Sequence, residues 1–502
     1  MKKTKKMKRM ICALLLLSVL CLSFAGCQAD TDKPGKSEDR QDASEDGGGD
    51  LGPIVYTPDL PEKDYGGYEF KVYQRGIDTH IDWSEKCIYA EAENGDRIND
   101  AVYRRNMFVE GKYNIRIVPV NASGEIYNGP VKKGFEKSVL ANDNLFDMAM
   151  SGVYDSSLLA TQGFLIDLYD MPYIALDKPW WDGTVNDTLK ILGRLYFGMS
   201  CMGINCKDDS FCILFNKQVA QEVGIENPYQ LVRDNKWTFD NFMAIARTAA
   251  LDLNGDGKMG KEDRYGYSGF DAEAWNLIIA SGERIAKIDS AGLPYFTLVN
   301  ERAIKVYEAI YTIFTEENFM LNTSGVADLH GETYKLLVQN QVLFAGSAMT
   351  VVQKARAMEQ DFGMLPYPKF DAAQDKHYTI CGLWGPTAVT VPTTNPDLER
   401  TGIIIEAMVA EGMNTIFPAY YDINLVTKGL RDEDSKEMLD IIMAGRGYDI
   451  GMLYDWGGIR GVILESIQGK RDSFLGTFEK KEGAALKAMQ KTIDEFTKIS
   501  ER

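Results

Sequence analysis

Residues 252–263 read Asp252-Leu-Asn254-Gly-Asp256-Gly-Lys258-Met-Gly-Lys-Glu-Asp263, and their types and spacing suit the binding of a hard divalent cation. Side-chain oxygens fall at the first, third and fifth positions, with glycine at the sixth. A backbone carbonyl (Lys258) falls at the seventh and a carboxylate at the twelfth. That is the order of a loop that gathers roughly six to eight oxygens around Ca²⁺. The twelfth residue is Asp263 rather than Glu, one methylene shorter, and Gly260 leaves a position to water. A structural Ca²⁺ held by Asp252, Asn254, Asp256, Lys258 and Asp263 is the expectation. The competing reading is a loop of the same shape braced by its own Asx hydrogen bonds.

Tryptophans supply the second signal. An indole face stacks on the apolar face of a sugar ring, while carboxylates, amides and Arg answer the hydroxyls. Trp384 and Trp456 are flanked by glycine, Trp180-Trp181 follow a proline in a loop, and Trp83 and Trp275 complete the candidate set. Trp237, just before a long helical pattern, reads as core. In open α/β sheets ligands bind beyond the carboxyl ends of strands. That rule adds Arg75 at the end of the first strand and Tyr154 after the third; Asp209, in the segment before Phe211, is added as an acceptor for sugar hydroxyls. Taken singly, each of these residues suits buried packing or a solvated surface as well as a ligand.

Catalytic motifs are missing from the sequence. There is no H-E-x-x-H, G-x-S-x-G or G-x-x-x-x-G-K-[ST], and no G-x-G-x-x-G after the first strand. His80, His330 and His377 match no metal or triad spacing. A glycosidase pair of carboxylates is open on sequence alone, because its separation of about 5–10 Å is spatial.

The elements that must position these residues begin after a leader. Lys2 to Arg9 form a basic segment, Ile11 to Phe24 an apolar one, and Leu22-Ser-Phe-Ala-Gly-Cys27 ends in small residues before cysteine. This reads as a secretory signal over 1–26, with Cys27 as the lipidated first residue of the mature chain. Its loss would take the formal charge from −18 to about −24, which argues against nucleic acid. Residues 27–66 read as a flexible acidic tether. With Cys12, Cys21 and Cys27 set aside, the remaining cysteines (Cys87, Cys201, Cys206, Cys212 and Cys381) are odd in number and read as small buried hydrophobes. From Tyr68 strand and helix patterns alternate. Glu69–Gln74 reads as a strand and Ile98–Tyr113 as a helix with Ile98, Val102, Phe108 and Val109 inward. Ile115–Val120 is a strand, Val131–Ala141 a helix and Phe146–Ser151 a strand. The alternation implies an α/β lobe with a largely parallel sheet.

The run from Gly193 to Ala250 carries a resemblance. GRLYFGMSCMGIN leads into the strand and helix FCILFNKQVAQEVGI, then Asn227-Pro228 and KWTFDNFMAIARTAA. This order resembles the extracellular, carbohydrate-type solute-binding proteins of bacterial ABC importers. RINDAVYRRNMFVEGKYNIRI, FDMAMSGVYDSSLLATQGFLIDLYD, FGMLPYPKF and TAVTVPTTNPDLERTGIIIEAMV extend it across nearly all of Tyr68 to Arg502. The resemblance implies an α/β, two-lobed periplasmic-binding-protein-like fold with discontinuous lobes and a hinge cleft. Lobe 1 would take 67–198 and 371–430, and lobe 2 would take 199–370 and 431–502. It further implies a monomeric, lipid-anchored receptor on the extracellular face of the cell membrane. That receptor would capture a carbohydrate, an oligosaccharide by expectation, and deliver it to ABC permease subunits without catalysis. The alternative is an exported glycan-cleaving lipoprotein enzyme.

Overall fold

The computed structural model describes residues 54–501, apart from 78–82, 125–128, 226, 327, 355–361 and 426–432. The signal segment, Cys27 and His80 lie outside the described residues. Two sheets organise the rest. The first has the order β12-β3-β1-β2, from β1 (Tyr68–Arg75), β2 (Ile115–Ala122), β3 (Met148–Gly152) and β12 (Thr387–Thr390). β1 runs parallel to both neighbours, with Tyr68 opposite Ile115 and Val72 opposite Met148, and β12 closes the edge antiparallel to β3.

The second sheet has the order β10-β4-β9-β5-β8. Its strands are β4 (Phe211–Asn216), β5 (Tyr265–Gly269), β8 (Met320–Asn322), β9 (Val342–Ala348) and β10 (Phe362–Leu365), with a small hairpin of β6 (Ala286–Ile288) and β7 (Pro294–Phe296) outside it. This sheet is mixed. β5 is parallel to β8 and β9, whereas β4, arriving from the first sheet, runs antiparallel to β9 and β10.

The helices follow local chemistry. Asp96 caps the helix Arg97–Tyr113 by accepting from the amides of Ile98 and Asn99, and Asn114 ends it in the left-handed region. Val102 and Val109 are buried as their seven-residue spacing predicts. Phe108 is not: it lies one residue off that stripe, is 52% exposed, and borders a groove with Tyr56 and Pro58. Thr238 caps the helix Phe239–Ala249, which buries Phe242 and Ala246. Trp237 is fully buried, its indole N–H donating to the Pro366 carbonyl at 2.7 Å.

The chain crosses between the sheets after β3 and again between β10 and β12, and the two crossings lie side by side. Ser210 pairs with Cys381, Gly198 with Val389, and the Gly382 amide donates to the Asp209 carbonyl at 2.8 Å. β11 (Thr379–Ile380) then pairs with β13 (Arg446–Gly447).

The ends of the chain differ from expectation. The segment read as tether to residue 66 is held down from Tyr56. Tyr56 and Asn414 exchange two hydrogen bonds of 2.8 and 2.9 Å, and Lys63 meets Glu399 at 3.1 Å. The C-terminal helix Ser473–Ser500, assigned from sequence to the second lobe, touches both sides. Phe474 stacks on Tyr307 at 4.7 Å and Phe496 on Tyr196 at 5.2 Å. The five described cysteines are free and buried. No described helix is long and apolar enough to cross a membrane.

Candidate functional site: an aromatic cavity at the crossings

A cavity of about 480 Å³ opens where the crossings meet the ends of the strands. Trp83, Phe211, Phe270, Trp275 and Trp384 form its aromatic wall. Trp83 follows β1, Phe270 is the first residue past β5, and Trp275 lies on the helix Glu273–Ala280. Leu329 and His330, beyond β8, line another side, so several carboxyl strand ends converge here. Trp275 and Trp384 stand 6.4 Å apart with their rings inclined at 44°. The Trp275 indole N–H donates to the Arg460 carbonyl at 3.0 Å, and the Arg460 guanidinium lies over the Trp384 ring at 5.2 Å.

Asp209 supplies the cavity's charge. It is 9% exposed, and burial pushes its carboxyl up to about 7. The charge of Asp208 adds to that rise, while Arg75 and the Gly385 amide oppose it. The two glycines of Gly382-Leu-Trp-Gly385 make room for this carboxylate. A Cβ on Gly382 would sit 1.9 Å from Asp209 Oδ2, and one on Gly385 2.4 Å away. Glycine on either side of Trp384 therefore does more than expose the indole, because it lets the loop wrap the carboxylate.

Behind that loop sits Arg75, buried, donating to the Gly385 carbonyl at 2.8 Å. Burial lowers its proton affinity, while Asp155, Glu85 and Asp209 act against that. Gly152 leaves space for the guanidinium, since a Cβ there would lie 2.0 Å from Nη2. The amides of Val153 and Tyr154 donate to the carbonyls of Pro386 and Leu383. Arg75 and Tyr154 thus brace the loop from the first sheet and are not among the residues that line the cavity.

The other predicted tryptophans lie in the core. Trp180 and Trp181 are 4% and 2% exposed, and their indole N–H groups donate to the two carboxylate oxygens of Glu406 at 2.7 and 2.9 Å. Trp456 is buried, stacks on Tyr454 at 5.4 Å and donates to Thr492 Oγ1 at 2.9 Å. Glycine neighbours do expose Trp384 but not Trp456, because the C-terminal helix covers the 456–461 turn.

Sequence reasoning missed Phe211, Phe270, Asn276, His330 and Glu273. Asn276 and His330 give the cavity polar edges. Glu273 is fully buried beneath Asn276 and accepts from its amide at 3.0 Å, from the Tyr367 hydroxyl at 2.8 Å and from the Tyr267 hydroxyl. Burial pushes its carboxyl up to about 7 against those donors. Phe270 was findable, as the residue directly after a strand end. Phe211 opens an apolar run and Glu273 sits in an unremarked helical stretch, so neither carries a local mark.

In the 252–263 loop the acidic side chains are turned onto the loop's own amides. Asp252 accepts from Gly255 and Gly257, Asn254 from Asp256, and Asp256 from Lys258. Asp263 accepts from Gly260, Leu253 and Asn254, which holds its carboxyl below the ordinary range. Among the described residues, no group of three or more His, Cys, Asp or Glu side chains is placed to hold a metal ion.

No family model and no curated protein matches the sequence. Solved structures do match in three dimensions. An ABC substrate-binding protein, Lmo0181 from Listeria monocytogenes in complex with cycloalternan, aligns at 14% identity over 86% of this chain and 98% of its own, with a TM-score of 0.51. The sugar-binding protein MalE from Xanthomonas citri aligns at 12% identity over 86% and 98%, with a TM-score of 0.54. A cyclo/maltodextrin-binding protein complexed with maltotetraose aligns at 14% identity over 85% and 97%, also at 0.54. The fold is that of ABC substrate-binding proteins. All three neighbours are binding proteins by their descriptions.

Proposed function

We propose that this chain is a carbohydrate receptor that holds its ligand in the aromatic cavity and hands it unchanged to an ABC permease. One observation carries the reading: Trp83, Trp275 and Trp384, far apart in sequence, wall one cavity at the crossings with a buried carboxylate among them. Indole faces match apolar sugar faces, and Asp209 and Asn276 can take hydroxyl hydrogen bonds. The sugar complexes of two neighbours support the same class of ligand. Among the lining residues described, Asp209 is the only carboxylate, so a two-carboxylate hydrolysis has no pair there. That favours a receptor over the glycan-cleaving alternative.

The proposal includes lipidation of Cys27 and display on the extracellular face of the membrane, on the strength of the leader sequence. It also includes Ca²⁺ at the 252–263 loop, on spacing alone. Both Asp252 oxygens and Asp263 Oδ2 each accept from one amide and keep a second lone pair, whereas Asp263 Oδ1 already accepts from two.

The test is a thermal melt of the purified protein against mono- and oligosaccharides, with and without EDTA. A ligand at about a hundred times its dissociation constant adds about 2.7 kcal/mol. A selective upward shift with the sugar recovered intact supports the receptor, whereas recovered cleavage products overturn it. An unchanged melt in EDTA, and again on adding Ca²⁺, removes calcium from the proposal.

A further inference from the structure

The cavity has a charge character that goes beyond holding a sugar. Among the described residues, no Lys or Arg lines it, and its ionisable carboxylate is Asp209. Two cations beside the wall are already committed, and one of them, Arg460, lies over one face of the Trp384 ring at 5.2 Å. Arg75 donates to the Gly385 carbonyl from behind the loop, and Arg460 pairs with Asp455 at 3.3 Å and donates to the Met452 carbonyl. Acids gather behind the same wall: Asp208 acts on Asp209, while Asp155 and Glu85 act on Arg75. The other titratable side chain of the lining is His330, beyond β8; with no Lys or Arg beside it, an anionic ligand would enter a desolvated site that already holds a like charge. A cation would instead meet indole faces, which attract positive charge, and a carboxylate able to accept a charge-assisted hydrogen bond.

Resting on the carbohydrate reading, we propose that Asp209 determines specificity, excluding saccharides with acidic groups and favouring one that presents a protonated amine. The amine would sit against the aromatic wall with an N–H directed to an Asp209 carboxylate oxygen. Because burial holds Asp209 partly protonated near neutrality, seating a cation beside it would expel a proton to solvent.

The experiment is calorimetric titration of the full chain at pH 7 with length-matched β-1,4 oligomers of glucosamine and glucose, and with oligomers of galacturonate. Glucosamine oligomers are expected to bind about ten- to hundredfold tighter than glucose oligomers, the scale of one hydrogen bond to a charged group. Galacturonate oligomers should be weakest. Repeating the glucosamine titration in two buffers of different ionisation enthalpy should reveal proton release. Asp209→Asn should bring the amine and neutral ligands level, and Asp209→Glu should keep their order. Equal affinities in the unaltered protein, a preference for galacturonate, or an order unchanged by Asp209→Asn would overturn the inference and leave the receptor standing. Binding of none of these or other saccharides by folded protein would overturn both. Should Asp209→Asn fail to fold, the buffer dependence of the unaltered protein decides.

Discussion

Two pairs of tryptophans in this molecule have opposite fates. Trp180 and Trp181 are neighbours in sequence and both tie their indole N–H groups to Glu406 on the helix Leu398–Asn414. Trp275 and Trp384 come from different elements and face one cavity, with Trp384 38% exposed. Each pair has a buried carboxylate near it: Glu406 accepts from both indoles of the first, and Glu273 opens the helix that carries Trp275. The difference lies in what the carboxylate holds. Glu406 takes up both indole N–H groups directly and fixes the rings as core. Glu273 instead takes Asn276 and two tyrosines, and so leaves the Trp275 ring free to form a wall. Composition around a tryptophan says little about its role; the destination of its N–H says much.

The comparison can be broken at either pair. Trp181→Ala should cost the most stability, about 3–5 kcal/mol, since it empties core volume and takes one donor from the buried Glu406 carboxylate. Chemical denaturation would measure it, and an unchanged midpoint would contradict the core assignment. Gly382→Ala comes next. Its methyl group would overlap Asp209, so stability should fall by about 1–3 kcal/mol and the ligand-dependent melting shift should vanish.

Trp384→Ala separates function from folding. Ligand affinity should fall about tenfold or more, while unliganded stability moves by less than about 1 kcal/mol. A large stability loss would make this ring core like Trp181. The subtlest effect is in pH. Glu273 and Asp209 hold protons in the folded chain up to about pH 7, while the unfolded chain releases them in the ordinary carboxylate range. Their contribution is therefore fully present at acid pH and is lost as pH rises to about 7. Glu273→Gln should flatten the fall in melting temperature between about pH 5 and 7.

Much of the frame was legible in the sequence because its signals are local. The strand and helix of 68–75 and 97–113 follow from period and caps, and the crossings from the resemblance around Gly193–Ala250. The site was half legible. Trp384 was marked by its glycine flanks, Asp209 by its place at the crossing, and Trp83 and Trp275 only by being tryptophans. Trp180 and Trp181 misled because the residue that decides them, Glu406, lies more than two hundred positions away. Glu273 gave no sign, since its meaning comes from Tyr267 and Tyr367, brought to it only by the second sheet.

The clasp between Tyr56 and Asn414 has a mechanical consequence. Both of its hydrogen bonds join the incoming strand of chain to the end of the helix Leu398–Asn414, and the Tyr56 ring rests edge-on against Trp180. A pull along the N-terminal segment is therefore borne first by that helix, which passes it to its neighbour Arg97–Tyr113 and to the Glu406 anchorage of Trp180 and Trp181. Tension entering at Tyr56 is therefore taken up in the body of the first sheet, by residues that do not line the cavity.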